Sequence, residues 1–176
     1  MRTNIVKMTY TAILIACGIA LPFAFHAIPE AGKLISPMHI PVLLCGLICG
    51  FPCGMCCGIL TTLLSSLLTG MPGPASLPAM LCELAVYGLV SSLLMQFVRT
   101  KNLYLDIYIS LLGAMLSGRI VYGVLNSLIF SAGRYSLQIW ATSAFVTAIP
   151  GIIIQVIAIP VIVLALQKAR LIESRY

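Results

Sequence analysis

Long apolar runs separated by short polar breaks extend along most of the sequence. A helix needs about 20 apolar residues to cross the hydrocarbon of a bilayer, and fewer where it is short or buried by protein. The pattern predicts an all-α, integral membrane bundle of six transmembrane helices, at about 8–28, 35–50, 52–68, 77–98, 103–130 and 139–166. We expect residues 1–176 to form a single transmembrane domain.

Proline and polar clusters mark the predicted helix ends. Pro52 interrupts the apolar pattern, so one helix should end and the next begin there. Further breaks are expected at 29–33, 70–74, 99–102 and 131–138. The first apolar run is long for the core of a signal peptide, and no cleavage pattern follows it cleanly, so we expect a retained helix.

The basic residues predict an orientation for these helices. Six helices place both termini on one side, and cytoplasmic loops of membrane proteins are enriched in Lys and Arg. With both termini cytoplasmic, the cytoplasmic side carries Arg2, Lys7, Arg99, Lys101, Lys168, Arg170 and Arg175. The opposite side carries Lys33 and Arg134. We therefore expect a multi-pass protein of a bacterial-type cell membrane with cytoplasmic termini.

Composition agrees with a membrane location. Hydrophobic residues make up 61% of the chain and charged residues 8%, with a mean hydropathy of +1.11. An average soluble domain is about a quarter charged. The net charge of +6 comes from residues that flank apolar runs rather than from a basic stripe, so the expected surroundings are a lipid bilayer and not nucleic acid.

Seven cysteines form the first candidate for metal or redox chemistry. Five of them lie between residues 45 and 57, where Cys53 and Cys56 have CxxC spacing. A second CxxC is absent from the sequence, and its histidines are His26 and His39. Small, soft packing residues are the simpler interpretation, and no metal site is expected.

Glu83 and Arg119 are opposite charges within predicted membrane helices. A charge near the centre of such a helix costs roughly 2.5–3.5 kcal/mol on the mildest scales. From the predicted helix ends, Glu83 lies about 9 Å and Arg119 about 16 Å below the outer surface. The two residues either pair and hold the fourth and fifth helices together, or they serve a ligand site.

Polar neighbours extend both positions into a candidate pocket that opens outward. Tyr87 and Ser91 share a helix face with Glu83, whereas Tyr122 and Asn126 share one with Arg119. The planar guanidinium of Arg119 suits a carboxylate, because it donates two parallel hydrogen bonds.

His39 and Trp140 complete the candidate substrate-binding set, and both of them, like the two tyrosines, have a second interpretation. Tyr87, Tyr122 and Trp140 are either aromatic walls of the pocket or packing residues at the lipid boundary. His39 either bonds a ligand or caps backbone groups beside Pro37 and Pro41.

The sequence offers little support for catalysis, and no catalytic residue is predicted. An intramembrane serine protease needs a serine–histidine pair at depth. Its nearest candidates here would combine Ser65 or Ser66 with His26 or His39. The sequence also lacks an ATP-binding motif, so active transport would need an energy-supplying partner or an ion gradient.

Three stretches of the sequence resemble the substrate-specific subunits (S components) of energy-coupling factor (ECF) transporters, which import vitamins. The first is the alanine stripe Ala12, Ala16 and Ala20 in the first helix. The second runs from Pro37-Met-His-Ile-Pro-Val through Leu63–Pro72 to Glu83-Leu-Ala-Val-Tyr-Gly88. The third is Ser117-Gly-Arg-Ile-Val-Tyr-Gly123.

The resemblance implies a subunit that captures a vitamin from outside with high affinity. Such a subunit docks on a transmembrane coupling (T) subunit, which is held by two cytoplasmic ATPases that use ATP. Ala12, Ala16 and Ala20 would then be the docking surface, although their spacing alone favours ordinary packing within the chain. Pantothenate, or another carboxylate-bearing B vitamin, suits Arg119. The main alternative is a self-contained small secondary transporter with Glu83 as a proton relay.

Overall fold

The computed structural model describes residues 4–25, 37–127 and 148–172, together with residues 138, 140, 142 and 146. Within these residues the chain is helical and contains no strand. The helices are α1 (Asn4–Phe25), α2 (His39–Cys49), α3 (Cys53–Thr69), α4 (Leu77–Phe97), α5 (Leu103–Leu125) and α6 (Ile149–Lys168).

Four of the described helices are long and apolar enough to cross a membrane, namely α1, α4, α5 and α6. The other two are shorter, with 17 residues in α3 and 11 in α2. At 1.5 Å per residue, α2 spans about 16 Å, roughly half of the hydrocarbon thickness. An all-helical bundle with several candidate spans is therefore present, while the crossing of the membrane by all six helices stays a prediction.

Glycine ends both short helices. The chain leaves α2 at Gly50, where φ is 75°, and the break falls beside Pro52. It leaves α3 at Gly70, where φ is 72° and the backbone N–H bonds to the Ser66 carbonyl. Both positions have a positive φ, which glycine adopts at little cost, so these residues end the helices where the sequence changes character.

Close backbone contacts hold α2, α3 and α4 together. A side chain on Gly54 would overlap the Gly88 carbonyl oxygen, and one on Gly58 would overlap the backbone of Leu84. Gly46 of α2 likewise packs against Gly88. Small residues allow helices to approach this closely, and they compensate for the weak hydrophobic driving force between helices in lipid.

Five of the six Lys and Arg residues in the described part of the chain lie at one end of the bundle. The Tyr10 hydroxyl donates a hydrogen bond of 2.8 Å to the Leu171 carbonyl, which joins the start of α1 to the turn after α6. The starts of α3 and α5 and the ends of α2 and α4 lie at this same end, which we call the basic end. Its described basic residues are Lys7, Arg99, Lys101, Lys168 and Arg170.

Candidate functional site

A buried polar cluster joins α2 to α4 near the end of the bundle opposite the basic end. Glu83 is 7% exposed, and Tyr87, one helical turn later, is fully buried. The Tyr87 hydroxyl donates a hydrogen bond of 3.0 Å to Glu83 Oε1. His39 Nε2 lies 3.9 Å from the same oxygen, and the rings of His39 and Tyr87 are 5.2 Å apart. The i, i+4 spacing of Glu83 and Tyr87 thus places both on the face that meets His39.

Tyr87 also brings α5 against this cluster. Its ring lies where a side chain at Gly118 would stand, so the two helices approach closely beside Arg119. Arg119 acts electrostatically on both Glu83 and Tyr87. Among the described residues, however, the basic group closest to the Glu83 carboxylate is the His39 imidazole, and no direct ion pair joins Glu83 to Arg119.

Arg119 retains an unused hydrogen-bond donor. Its Nε atom is buried and has no hydrogen-bond partner within the described part of the chain. Leaving a buried donor unsatisfied costs about 1–3 kcal/mol, and more for a charged group. An anion with two oxygens can satisfy a guanidinium through parallel hydrogen bonds, so this residue can hold a carboxylate.

Glu83 and Arg119 lie at matching distances from the helix ends. Glu83 is six residues after Leu77 and Arg119 is six residues before Leu125, which places each about 9 Å along its helix. The sequence had suggested about 16 Å for Arg119, because the apolar run continues to about residue 130. The assigned α-helix ends at Leu125, Asn126 and Ser127 continue it in helical conformation, and residues 128–137 lie outside the described part of the chain, so the depth of Arg119 stays a prediction.

Tyr122 and Asn126, the other two residues predicted to share a helix face with Arg119, lie near the end of α5. Asn126 is buried, and its side-chain nitrogen donates a hydrogen bond of 2.9 Å to the Tyr122 carbonyl. The Asn126 backbone N–H bonds to the carbonyls of Tyr122 and Gly123. The Tyr122 side chain is half-buried. Both residues thus lie near Arg119 along the helix, and their contact with a ligand stays a prediction.

Trp140 packs on α5 one turn beyond Arg119. Its indole N–H donates a hydrogen bond of 3.0 Å to the Arg119 carbonyl. The indole ring covers Gly123, where an added side chain would overlap it. The half-buried position of Trp140 therefore results from contacts with the backbone of α5.

Gln155 is a buried polar residue that the sequence pattern did not single out. Its side chain is 1% exposed on the buried face of α6. It lies six residues after Ile149, so its distance from the start of α6 matches that of Glu83 from the start of α4. The sequence could have indicated this residue, because Gln155 is the first polar side chain of α6 within a run of Ile, Val, Ala, Gly and Pro.

The serines considered as nucleophiles hold a turn instead. Ser65 Oγ donates a hydrogen bond of 2.8 Å to the Met71 carbonyl, and Ser66 Oγ donates one of 2.8 Å to the Pro72 carbonyl. Neither contact is with a histidine, and His26 lies outside the described residues. These bonds fix the chain where it leaves α3.

The cysteines divide between the core and the surface. Cys45, Cys49 and Cys57 belong to the hydrophobic core, whereas Cys56 of the CxxC pair is exposed. Within the described residues, no group of three or more His, Cys, Asp or Glu residues is arranged to hold a metal ion. Core packing thus accounts for the three buried thiols.

The alanine stripe of α1 faces away from the bundle. Ala12, Ala16 and Ala20 are all exposed. Packing within the chain, which their spacing alone favoured, is therefore wrong for the described bundle. Ala16 and Ala20 line an open apolar groove that continues to Phe23 and to Thr69 of α3.

The opposite face of α1 attaches it to the other helices. Gly18 packs against the Thr61 side chain, and Thr11 Oγ1 lies 3.6 Å from Cys45 Sγ. Thr11 and Gly18 are the buried residues of α1 among those with described side chains. Their spacing of seven residues, two helical turns, leaves the alanine stripe outside.

Comparison with known proteins assigns the chain to a family. No curated protein gives a significant match. The model of the family described as "ECF transporter, substrate-specific component" matches residues 6–163, from the first turn of α1 into α6. The match covers most of the 176 residues, and it places the chain among transporter subunits rather than enzymes. The chain belongs to the substrate-specific components of ECF transporters.

Proposed function

We propose that this chain captures a carboxylate-bearing B vitamin, with pantothenate as the best candidate, for import by an ECF transporter. The observation that carries the proposal is the buried Arg119 Nε, which has no partner within the described residues. A carboxylate at Arg119 would satisfy this donor and neutralise the charge of the half-buried guanidinium.

The polar cluster on α2 and α4 supplies a second set of contacts. Glu83, Tyr87 and His39 lie beside the turn of α5 that carries Arg119. Pantothenate has an amide and two hydroxyl groups at a distance from its carboxylate. Those groups suit carboxylate, phenol and imidazole partners, with Tyr122, Asn126 and Trp140 lining the side towards the end of α5.

The charge distribution supports an outward-facing site. The basic end of the bundle fits the cytoplasmic side of a cell membrane, because cytoplasmic segments are enriched in Lys and Arg. Glu83 lies towards the opposite end, six residues or about 9 Å from the start of α4, and the turn of α5 that carries Arg119 lies beside it. A vitamin would therefore enter from outside the cell.

Uptake would depend on partner subunits. The exposed alanine stripe Ala12, Ala16 and Ala20 would dock on a transmembrane coupling subunit, since small residues permit close contact between helices. Two cytoplasmic ATPases bound to that subunit would use ATP and drive release of the vitamin inside.

A self-contained secondary transporter is the second candidate function. It draws support from His39 and Tyr87, which flank Glu83 and could pass a proton to or from its carboxylate. In this case a proton gradient would drive uptake by the lone chain.

Reconstitution in liposomes separates the two functions. The purified chain should bind pantothenate one to one, and labelled pantothenate should accumulate only when the coupling and ATPase subunits and ATP are present. Uptake driven by a proton gradient in liposomes that contain this chain alone would contradict the ECF mechanism. Loss of that uptake in Glu83→Gln would then support the secondary transporter.

A further inference from the structure

Trp140 lies unusually close to the backbone of α5. Three atoms of its indole ring, Nε1, Cδ1 and Cε2, lie where a side chain at Gly123 would begin. The same nitrogen donates a hydrogen bond of 3.0 Å to the Arg119 carbonyl, one turn earlier. The ring therefore spans the helical turn from residue 119 to residue 123.

This contact requires glycine at position 123. Gly123 lies within a helix and is not in the left-handed conformation, so backbone geometry does not demand a glycine there. Glycine is required there because a methyl group at position 123 would displace the indole ring. Displacement would also break the bond to the Arg119 carbonyl, because the overlapping atoms include the donor nitrogen.

The contact lies beside the residue that carries the proposed function. Arg119 is bounded on one side by Tyr87, whose ring covers the neighbouring Gly118, and its carbonyl is bonded to Trp140. Two aromatic rings thus pack on α5 at glycines that precede and follow Arg119 along the helix. A rigid aromatic wall fixes the size and direction of the space that a ligand can use.

We propose that Gly123 is a positioning residue of the substrate site. Because it has no side chain, the Trp140 indole packs against α5 at this position, where the ring limits the space available to a carboxylate ligand at Arg119. This inference rests on the proposed function, because it assigns a wall to the site where that ligand would bind. The inference adds Gly123 to the proposed site, as a residue that does not contact the ligand and acts only by positioning Trp140.

Trp140 is the sole tryptophan of the chain, so intrinsic fluorescence reports on this contact without a ligand. In Gly123→Ala, the emission of the ligand-free protein should shift to longer wavelength and become more sensitive to acrylamide. Gly113→Ala is the matched control on the same helix, because its added methyl group meets only the flexible end of Leu94. The control should keep the wild-type emission.

Binding measurements then test the positioning role, with the tightest binder among pantothenate, biotin and nicotinate as the probe. Gly123→Ala should weaken binding roughly tenfold, since a small misplacement of a supporting residue loosens a site. The same substitution should have no further effect in a Trp140→Ala background, because the two residues act as one unit. Trp140→Phe, which keeps Gly123 and removes the indole N–H, should also weaken binding.

Three results would overturn the inference. The first is unchanged emission in Gly123→Ala, and the second is changed emission with wild-type affinity. The third is an equal loss of affinity from Gly123→Ala with and without Trp140. If the wild-type protein binds none of the three probes, the proposed function fails and the positioning role fails with it. A changed emission would then report the packing of Trp140 alone.

Discussion

The ring of Tyr87 occupies the space in front of Gly118, and this contact joins α4 to α5 beside both charges of the site. Glu83 lies one turn before Tyr87, and Arg119 follows Gly118 directly. The relative position of Glu83 and Arg119 therefore depends on the packing of one aromatic ring. This ring, of Tyr87, contacts Gly118, which has no side chain.

Gly118→Ala should destabilise the protein and weaken ligand binding. The methyl group would displace the Tyr87 ring, and overpacking of this kind costs about 1–3 kcal/mol of the free energy of unfolding. Thermal unfolding in detergent measures the change. Gly113→Ala, whose methyl group meets the movable end of Leu94, should cost less. Equal losses in the two variants would contradict the importance of the contact between Tyr87 and Gly118.

Tyr87→Phe should destabilise the protein without changing its packing. The substitution removes the hydroxyl that donates to Glu83 Oε1, and an unsatisfied buried partner costs about 1–3 kcal/mol. A double-mutant cycle with Glu83→Gln measures the coupling of the two residues, which should be at least about 0.5 kcal/mol. Tyr104→Phe is the control, because this tyrosine is 56% exposed. Strictly additive effects in the cycle would mean that the hydrogen bond contributes little.

The pattern of apolar and polar residues predicted much of this fold, because helices and the breaks between them depend mainly on residues that are close in sequence. Pro52 marks the break between α2 and α3, and apolar length predicts α4 and α5. The helical period also placed Glu83, Tyr87 and Ser91 on one face, and all three are buried. These features depend on residues that are close along the chain.

Features that depend on contacts between distant residues could not be predicted in this way. Two contacts join different segments of the chain, namely Tyr87 with Gly118 and Trp140 with Gly123. The spacing of apolar and polar residues along the sequence does not reveal them. The alanine stripe shows the same limit, since its spacing alone favoured packing within the chain, whereas the three alanines are exposed.

Ala16→Leu should abolish ATP-driven uptake and leave vitamin affinity and stability unchanged. Ala16 is exposed on the outer face of α1, so a larger side chain there would obstruct only a docked partner. Uptake by proteoliposomes with all subunits, measured beside equilibrium binding, separates the two effects. Ala165→Leu is the matched control, an exposed alanine on α6. Normal uptake by Ala16→Leu would exclude this position from the docking surface.

Gly18→Val should have the opposite profile, with lower stability as its first effect. The β-carbon of any larger residue would stand 2.5 Å from Thr61 Cγ2, so either the Thr61 side chain or α1 itself must shift. A loss of about 1–3 kcal/mol in the free energy of unfolding is expected from such overpacking. Thermal unfolding of this variant beside Ala16→Leu compares the two faces of α1. Wild-type stability in Gly18→Val would show that α1 does not rely on this contact.

Native mass spectrometry of the wild-type protein and Arg119→Ala tests the central claim most directly. We expect the wild-type chain to retain one carboxylate-bearing small molecule through purification, or to take up one pantothenate when it is supplied. Arg119→Ala should lose that molecule, because the fork that pairs with its carboxylate is gone. Retention of the same molecule by Arg119→Ala at wild-type affinity would contradict the claim, and Arg119 would then serve the packing of α4 and α5 alone.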